Sequence, residues 1–384
     1  SYSVTGVQTC ALPILEEHKP DVVGVTVITS EFDYALEICR TVREVNPMIV
    51  TVAGGLHATL CPGDFAGTPV DIVIPGQSAH IFRMVVEQLD KKKPLTEVPG
   101  IFLQEDGKLV RTKGILPACD PAGKDFLLPD RSLIRPWIDS YHVGNHPGPV
   151  TYLFTSLGCP YKCTFCSIWT QFRGKYHQRT VQSIIDELKL LEEYPSVRFA
   201  DANTVVDDKF MPELFDRMRA EGLRKSIVMD IRADVAAQRP DIIERLAEGG
   251  LKVVICGFES FRDEELKRYN KDAPAYHNQK AVRVFEQNGI MVRGNYVIPC
   301  DYSKSDFDAL STYANLNRVV YAGYTILTPM PGTLYYREVK DRIVDHDYRR
   351  YNFFNAVLKT VLPFEKFHER VGALWLIKRG TDVI

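Results

Sequence analysis

The sequence predicts an α/β protein in two parts: a doubly wound parallel sheet first, then a longer strand–helix unit that reads as a partial (β/α) barrel. Three observations carry this expectation. From Asp21 onward, short apolar runs alternate with stretches of helical spacing, as parallel strands and their crossover helices do. Three later helices end in Glu221-Gly222-Leu223, Glu248-Gly249-Gly250-Leu251 and Gln287-Asn288-Gly289-Ile290, each followed at once by a strand-like run. Finally, Cys159, Cys163 and Cys166 follow directly on the strand-like run Val150–Ser156.

At 384 residues the chain exceeds one average domain of roughly 150 residues, so two domains are the starting expectation. An apolar share of 45% supplies core material, and 25% charged residues match a globular surface. A net charge of −2 gives no electrostatic footprint for nucleic acid. No apolar run approaches the roughly 18 residues of a membrane-spanning helix, and no secretory signal is evident; peripheral membrane contact stays open. The nine cysteines, mostly dispersed, read as reduced thiols, which points to the cytoplasm.

Residues 1–15 differ in character from the rest of the chain. They resemble translated adapter sequence and are set aside as an anomalous, non-native leader, so Cys10 is given no role. The first domain is expected over 16–95. Asp21–Thr29 is the continuous apolar run of a buried parallel strand, and Tyr34–Val45 follows with helical spacing. Met48–Ala53 is a second strand, ending in Gly54-Gly55-Leu56-His57. Val70–Ile74 is a third, ending at Pro75-Gly76-Gln77 before a helix through Ile81, Met84, Val85 and Leu89. Open sheets of this kind hold ligands at the C-terminal ends of their strands.

Residues 96–148 read as a connector, with a hairpin over Ile101–Arg111 turning at Asp106-Gly107 and proline-rich segments around Pro117, Pro129 and Pro136. The strand–helix repeat is expected over 149–335, and a helical C-terminal extension, cut short, over 336–384. Its strands are Val150–Ser156, Val197–Ala200, Ser226–Arg232, Val253–Phe258, Met291–Ile298 and Tyr321–Leu327. Polar groups recur where they end. Asp201-Ala-Asn203-Thr204 ends the second, Asp230-Ile-Arg232-Ala-Asp234 the third and Gly257-Phe-Glu259-Ser260 the fourth. Asn295 and Tyr296 end the fifth, and Thr328-Pro-Met-Pro-Gly-Thr333 the sixth. Singly each reads as well as a cap; their recurrence marks a site, since barrels of this class work at that end. Cys256 and Cys300 read as buried structural thiols.

Three thiolates this close can point at one centre, and soft ligands suit iron–sulfur clusters or zinc. A structural zinc would want a fourth ligand, yet no cysteine follows until Cys256 and His177 lies in a different kind of segment. Three ligands on a four-iron cluster leave one iron open to bind something else.

With Phe165 just before the last cysteine, Cys159-Pro-Tyr-Lys-Cys163-Thr-Phe-Cys166 resembles the cluster loop of radical S-adenosylmethionine (SAM) enzymes. That resemblance implies a 4Fe–4S cluster on Cys159, Cys163 and Cys166 whose open iron chelates SAM and cleaves it to a 5′-deoxyadenosyl radical. It also implies SAM contacts from Phe165, Asp201, Asn203, Arg232, Glu259 and Ser260, with Arg232 clamping the SAM carboxylate through its planar fork.

The first domain's strand ends resemble the Rossmann-like cobalamin-binding domain that precedes many such TIM-like barrels. The resemblance assigns Thr29, Ser30, Gly54, Gly55, His57 and Gly76 to cobalamin, with His57 a loop or tail contact. Two departures stand out: the opening strand and helix are absent, which suggests truncation, and the cobalt-ligating Asp-x-His-x-x-Gly loop is missing, either by that truncation or as a trait of this group. In addition, Gly76-Gln77-Ser78-Ala79 stands where relatives carry Gly-Glu-Gly-Glu.

Gly158–Trp169, Arg224-Lys225 and Glu265–Tyr269 look most like hopanoid C-3 methylases. The implied activity is methylation of an unactivated carbon of a small-molecule or lipid substrate through methylcobalamin, with flavodoxin or ferredoxin supplying electrons. A cobalamin-dependent cyclase or rearrangement enzyme and a non-functional gene fragment stay open. An RNA methylthiotransferase would need more cluster cysteines and a basic module, and neither is visible.

Overall fold

The computed structural model describes residues 5–76, 79–116, 121, 126, 128–142, 148–271, 273–317, 319 and 321–376, with side chains from residue 11 onward. Two compact units emerge. The first gathers residues up to 119 together with 165–171 and 328–357, and the second gathers 120–164, 172–327 and 358–384.

In the first unit, β1 (Val22–Thr26), β2 (Val50–Gly54) and β3 (Ile72–Val73) run parallel, and the hairpin β4 (Phe102–Glu105) and β5 (Lys108–Arg111) completes the order β1-β2-β3-β4-β5. Helices α1 (Thr5–His18), α2 (Phe32–Val45), α3 (Gly55–Leu60) and α4 (Ala79–Asp90) accompany these strands. Side chains alternate across the strands, so both faces are apolar. Phe32, Leu36 and Cys39 of α2 pack with Ala53, Phe65 and Val73 on one side. Ile81 and Val85 of α4 pack with Val52, Ile72 and Ile101 on the other.

Two expectations change here. The hairpin read as part of a connector is the edge of the sheet: β3 has only two residues, and pairing Ile72 with Leu103 and Val73 with Phe102 fills its open side. The leader read as outside the fold contributes most of α1, whose Leu15 packs on Val42 and Ile49. Pro13 lies within this helix. Gln77, Ser78 and Pro117 lie outside the described residues.

The second unit is built on a six-stranded parallel sheet. Its strands are β6 (Val150–Leu153), β9 (Ser196–Phe199), β10 (Ser226–Asp230), β11 (Leu251–Glu259), β12 (Met291–Ile298) and β13 (Tyr321–Ile326), in the order β13-β12-β11-β10-β9-β6. Between β6 and β9 lie β7 (Ser156–Gly158) and β8 (Tyr176–Gln178), a small antiparallel pair. The single strand expected over Val150–Ser156 is therefore split. β12 runs on to Ile298, so Asn295 sits within a strand and not at its end. Gly222, Gly250 and Gly289 have the left-handed backbone expected after helices.

One face of this sheet is fully buried: Phe199, Met229, Val254, Cys256 and Phe258 all have no exposure. Helices cover it, with the rings of Phe199 and Phe215 meeting edge-on at 6.2 Å. The parallel register aligns Tyr152, Arg198 and Val228 on the opposite face, along with Asp230, Ile255, Arg293 and Tyr321. Among the described residues, no helix is long and apolar enough to cross a membrane.

Candidate active site

The chain that carries Cys159 and Cys163, in the second unit, is anchored by a set of backbone and side-chain hydrogen bonds. Past β6, the chain leaves the sheet because Thr155 donates its N–H to the Asp201 carboxylate at 3.1 Å and its hydroxyl at 2.9 Å. The Ser156 hydroxyl donates to the same carboxylate. Asp201 is 3% exposed, and burial raises its pKa while the Ser156 and Thr155 donors pull it back. Gly158 then brings the backbone against β8: at φ +85°, any Cβ would lie 2.1 Å from the Lys175 carbonyl oxygen. Only glycine fits that approach.

At its far end the loop is tied to the segment after β11. Thr164 N–H donates to the Tyr269 carbonyl at 2.9 Å, and the Asn270 amide donates to the Lys162 carbonyl at 2.8 Å. Cys159, Cys163 and Cys166 are all half-buried. Burial raises the Cys159 and Cys163 thiols, while Arg232 and Lys271 lower both. Three accessible thiols on a pre-shaped loop, with two cations to offset negative charge, fit an iron–sulfur cluster.

Around this loop the sequence-expected residues fall into two groups. Asn203 is 3% exposed; its Nδ2 donates weakly to Val205 O at 3.4 Å, and its Oδ1 is buried with no donor. Glu259 closes β11 at a register shift, with φ +59°, a backbone conformation rare for a residue with a side chain. Lys271, itself buried, donates to Glu259 Oε1 at 2.8 Å and to the Gly257 carbonyl. Asn203 and Glu259 thus offer acceptor atoms.

The other group is committed to protein. Arg232 does not present a free fork: its Nε and Nη2 donate to Asp234 at 2.9 and 2.8 Å, and its guanidinium lies 3.8 Å from the Tyr161 ring centre. Ser260 donates to Glu265, accepts from Arg262 N–H at 3.0 Å and is 1% exposed. Asp201 is spent on Thr155 and Ser156. In this ligand-free arrangement these three are held by their own neighbours. Phe165 is half-buried. Sequence reasoning gave no role to Lys271, Asn270 or Tyr161; the signals were that Asn270 and Lys271 follow Glu265–Tyr269 directly and that Tyr161 stands between Cys159 and Cys163.

In the first unit, Ser30, Gly54, Gly55 and Gly76 are half-buried around the ends of β1, β2 and β3. A Cβ on Gly55, at φ +91°, would sit 2.8 Å from Val27 N, whereas Gly76 has open space around it. A backbone rim with open ground fits a flat macrocycle. His57 and Thr29 lie deeper than the rim. His57 is 1% exposed among Phe32, Phe65 and Tyr348, and its Nδ1 pairs with Thr29 Oγ1 at 3.2 Å. The buried Cys256 and Cys300 are as expected.

Comparison with known proteins agrees with this geometry. Residues 153–314 match the Radical SAM superfamily, and residues 11–86 match the B12 binding domain. The chain is 27% identical to an uncharacterized methyltransferase of Pyrococcus horikoshii, over 90% of this chain and 75% of that protein. It is 25% identical to the anaerobic magnesium-protoporphyrin IX monomethyl ester cyclase of Rubrivivax gelatinosus, over 89% and 62% of the two. It is 24% identical to the hopanoid C-3 methylase of Methylococcus capsulatus, over 92% and 67%. The chain thus spans 62% to 75% of these relatives' own lengths. The solved structure of the radical SAM methyltransferase TsrM from Kitasatospora setae, with cobalamin and a 4Fe–4S cluster bound, has the same fold at TM-score 0.71 and 17% identity, covering 96% of this chain and 80% of that one. The chain thus carries a radical SAM domain over residues 153–314, with a B12-binding domain ahead of it over residues 11–86.

Proposed function

We propose that the chain is a cobalamin-dependent radical SAM methyltransferase acting on an unactivated carbon of a small molecule. The observation that carries this reading is a three-thiol loop, pre-shaped by its own backbone contacts, in one chain with a B12-binding domain. When bound, the cluster, SAM and cobalamin supply radical initiation at a C–H bond and a methyl group for the carbon.

The chain's residues hold, orient and shield. Cys159, Cys163 and Cys166 would hold the cluster. Asn203 Oδ1 would accept from the amino group of SAM, relieving its own unmade hydrogen bond. The Lys271–Glu259 pair would present a carboxylate edge beside the loop. Arg232 would steady Tyr161. Ser30, Gly54, Gly55 and Gly76 would form the rim for cobalamin. A low-potential electron donor such as flavodoxin or ferredoxin and a reducing cytoplasm complete the requirements.

The test is anaerobic turnover of the reconstituted full chain with SAM, cobalamin and candidate substrates. A methyltransferase yields 5′-deoxyadenosine and S-adenosylhomocysteine together with methylated product. Withholding cobalamin should stop S-adenosylhomocysteine while deoxyadenosine still forms. Product with deoxyadenosine but no S-adenosylhomocysteine would instead favour the cyclase reading, which the Rubrivivax relative supports. A chain that takes up zinc and never develops iron–sulfur absorbance would overturn both.

A further inference from the structure

We propose that His57, Cys61 and Asp64 form a zinc-class metal site in the first unit, separate from the cysteine loop. His57 Nε2, Cys61 Sγ and an Asp64 carboxylate oxygen all lie within 4.8 Å of one another. The spacing is local. Cys61 N–H donates to the His57 carbonyl at 2.8 Å and Asp64 N–H to the Cys61 carbonyl at 3.1 Å, so successive turns bring the three side chains to one side. Cys61 caps α3 four residues after His57, about one helical turn further along.

A second observation points to a ligand. The His57 side chain is fully buried, and its Nε2 makes no hydrogen bond, an unusual state for a buried ring nitrogen. That nitrogen faces Asp64 Oδ2 at 3.4 Å. The distance is long for a hydrogen bond, but it is the edge that two ligands about 2.0–2.2 Å from a tetrahedral zinc would span, ~3.4 Å. The surroundings also resemble a metal's outer shell. Thr29 Oγ1 pairs with His57 Nδ1 at 3.2 Å and can accept a proton carried there, the tautomer that leaves the Nε2 lone pair for a metal. The Tyr348 hydroxyl donates to Asp64 Oδ2 at 2.8 Å and orients that carboxylate. Phe32, Phe65 and Tyr348 wall the imidazole. Three protein ligands leave a fourth position for water, reached from the Asp64 side, where the carboxylate is 35% exposed.

The full chain is used for the test, with Cys159, Cys163 and Cys166 replaced by alanine so that the cluster loop takes no metal. After incubation with zinc and desalting, this variant should retain one zinc per chain and melt at a higher temperature than its chelated form. Cobalt(II) in place of zinc should show a thiolate-to-metal charge-transfer band. Adding Cys61→Ser should abolish the band and the retained zinc. Asp64→Asn, a half-exposed change that leaves the core intact, should weaken zinc by about tenfold or more, and Tyr348→Phe should do so by about tenfold, as loss of outer-shell partners does. Zinc retention unchanged by both Cys61→Ser and Asp64→Asn, or no zinc retained at all, would overturn the site.

Discussion

Asn203 carries the sharpest single-residue expectation. A buried amide oxygen without a donor costs stability until something supplies one, so its removal should hurt ligand binding more than folding. Asn203→Ala should weaken SAM binding to the reconstituted protein by about tenfold while leaving the denaturation midpoint nearly unchanged. Equal loss in binding and stability would assign Asn203 to the scaffold. Lys271 predicts the opposite pattern. Lys271→Met strands the Glu259 carboxylate, whose side chain is 14% exposed, and breaking such a pair costs about 3–5 kcal/mol. Denaturant unfolding of the apo protein should show that loss. At this scale the cysteines were legible because their chemistry lies in their spacing. Lys271 was not: in Arg268-Tyr-Asn-Lys271-Asp272 it reads as surface charge, and only the fold of the chain over Gly257 buries it. The same holds for Arg232, whose type was legible and whose partner was not.

At the scale of elements, the parallel strands were legible wherever an apolar run met a glycine-ended helix, and β12 matches its expected bounds. The break between β6 and β7 was not legible, because a buried carboxylate from β9's far end takes the Thr155 N–H out of the ladder. The hairpin was visible, but its docking on β3 is a tertiary fact. Strands β9 and β10 support a pH prediction. Asp230, paired with Arg198, has its pKa raised to about 6, mainly by burial against the opposing pull of Arg198. The folded state therefore holds this proton more tightly than the unfolded state, whose carboxyl ionises near the ordinary value of 3.8. This group's contribution should fall as pH rises from about 4 to about 6 and stay flat above that. Comparing unfolding free energies of wild type and Asp230→Asn across that range should show the difference between them changing in favour of the variant. A constant difference would count against the shift.

For the whole molecule, the first unit is not one continuous stretch, because residues 328–357 return to it. Tyr348 from that return packs on Phe32 at 5.8 Å and on His57 at 5.2 Å. A fragment ending at residue 119 should accordingly expose an apolar face and bind a hydrophobic dye. Co-expression with a piece covering 328–357 should suppress that signal; a compact, dye-silent fragment would show the return to be dispensable. The two-part α/β organisation was legible from the sequence, but this interleaving was not, since nothing local in 328–357 announces its partner. The anchoring of the cysteine loop bears on the order in which the molecule is made. Thr164, Asn270 and Asp201 hold the loop through bonds in which no thiol takes part, so the polypeptide should keep the loop's shape when no iron is bound. A zinc finger must fold around its metal; a loop anchored in this way should instead survive removal of its cluster and accept a new one without refolding.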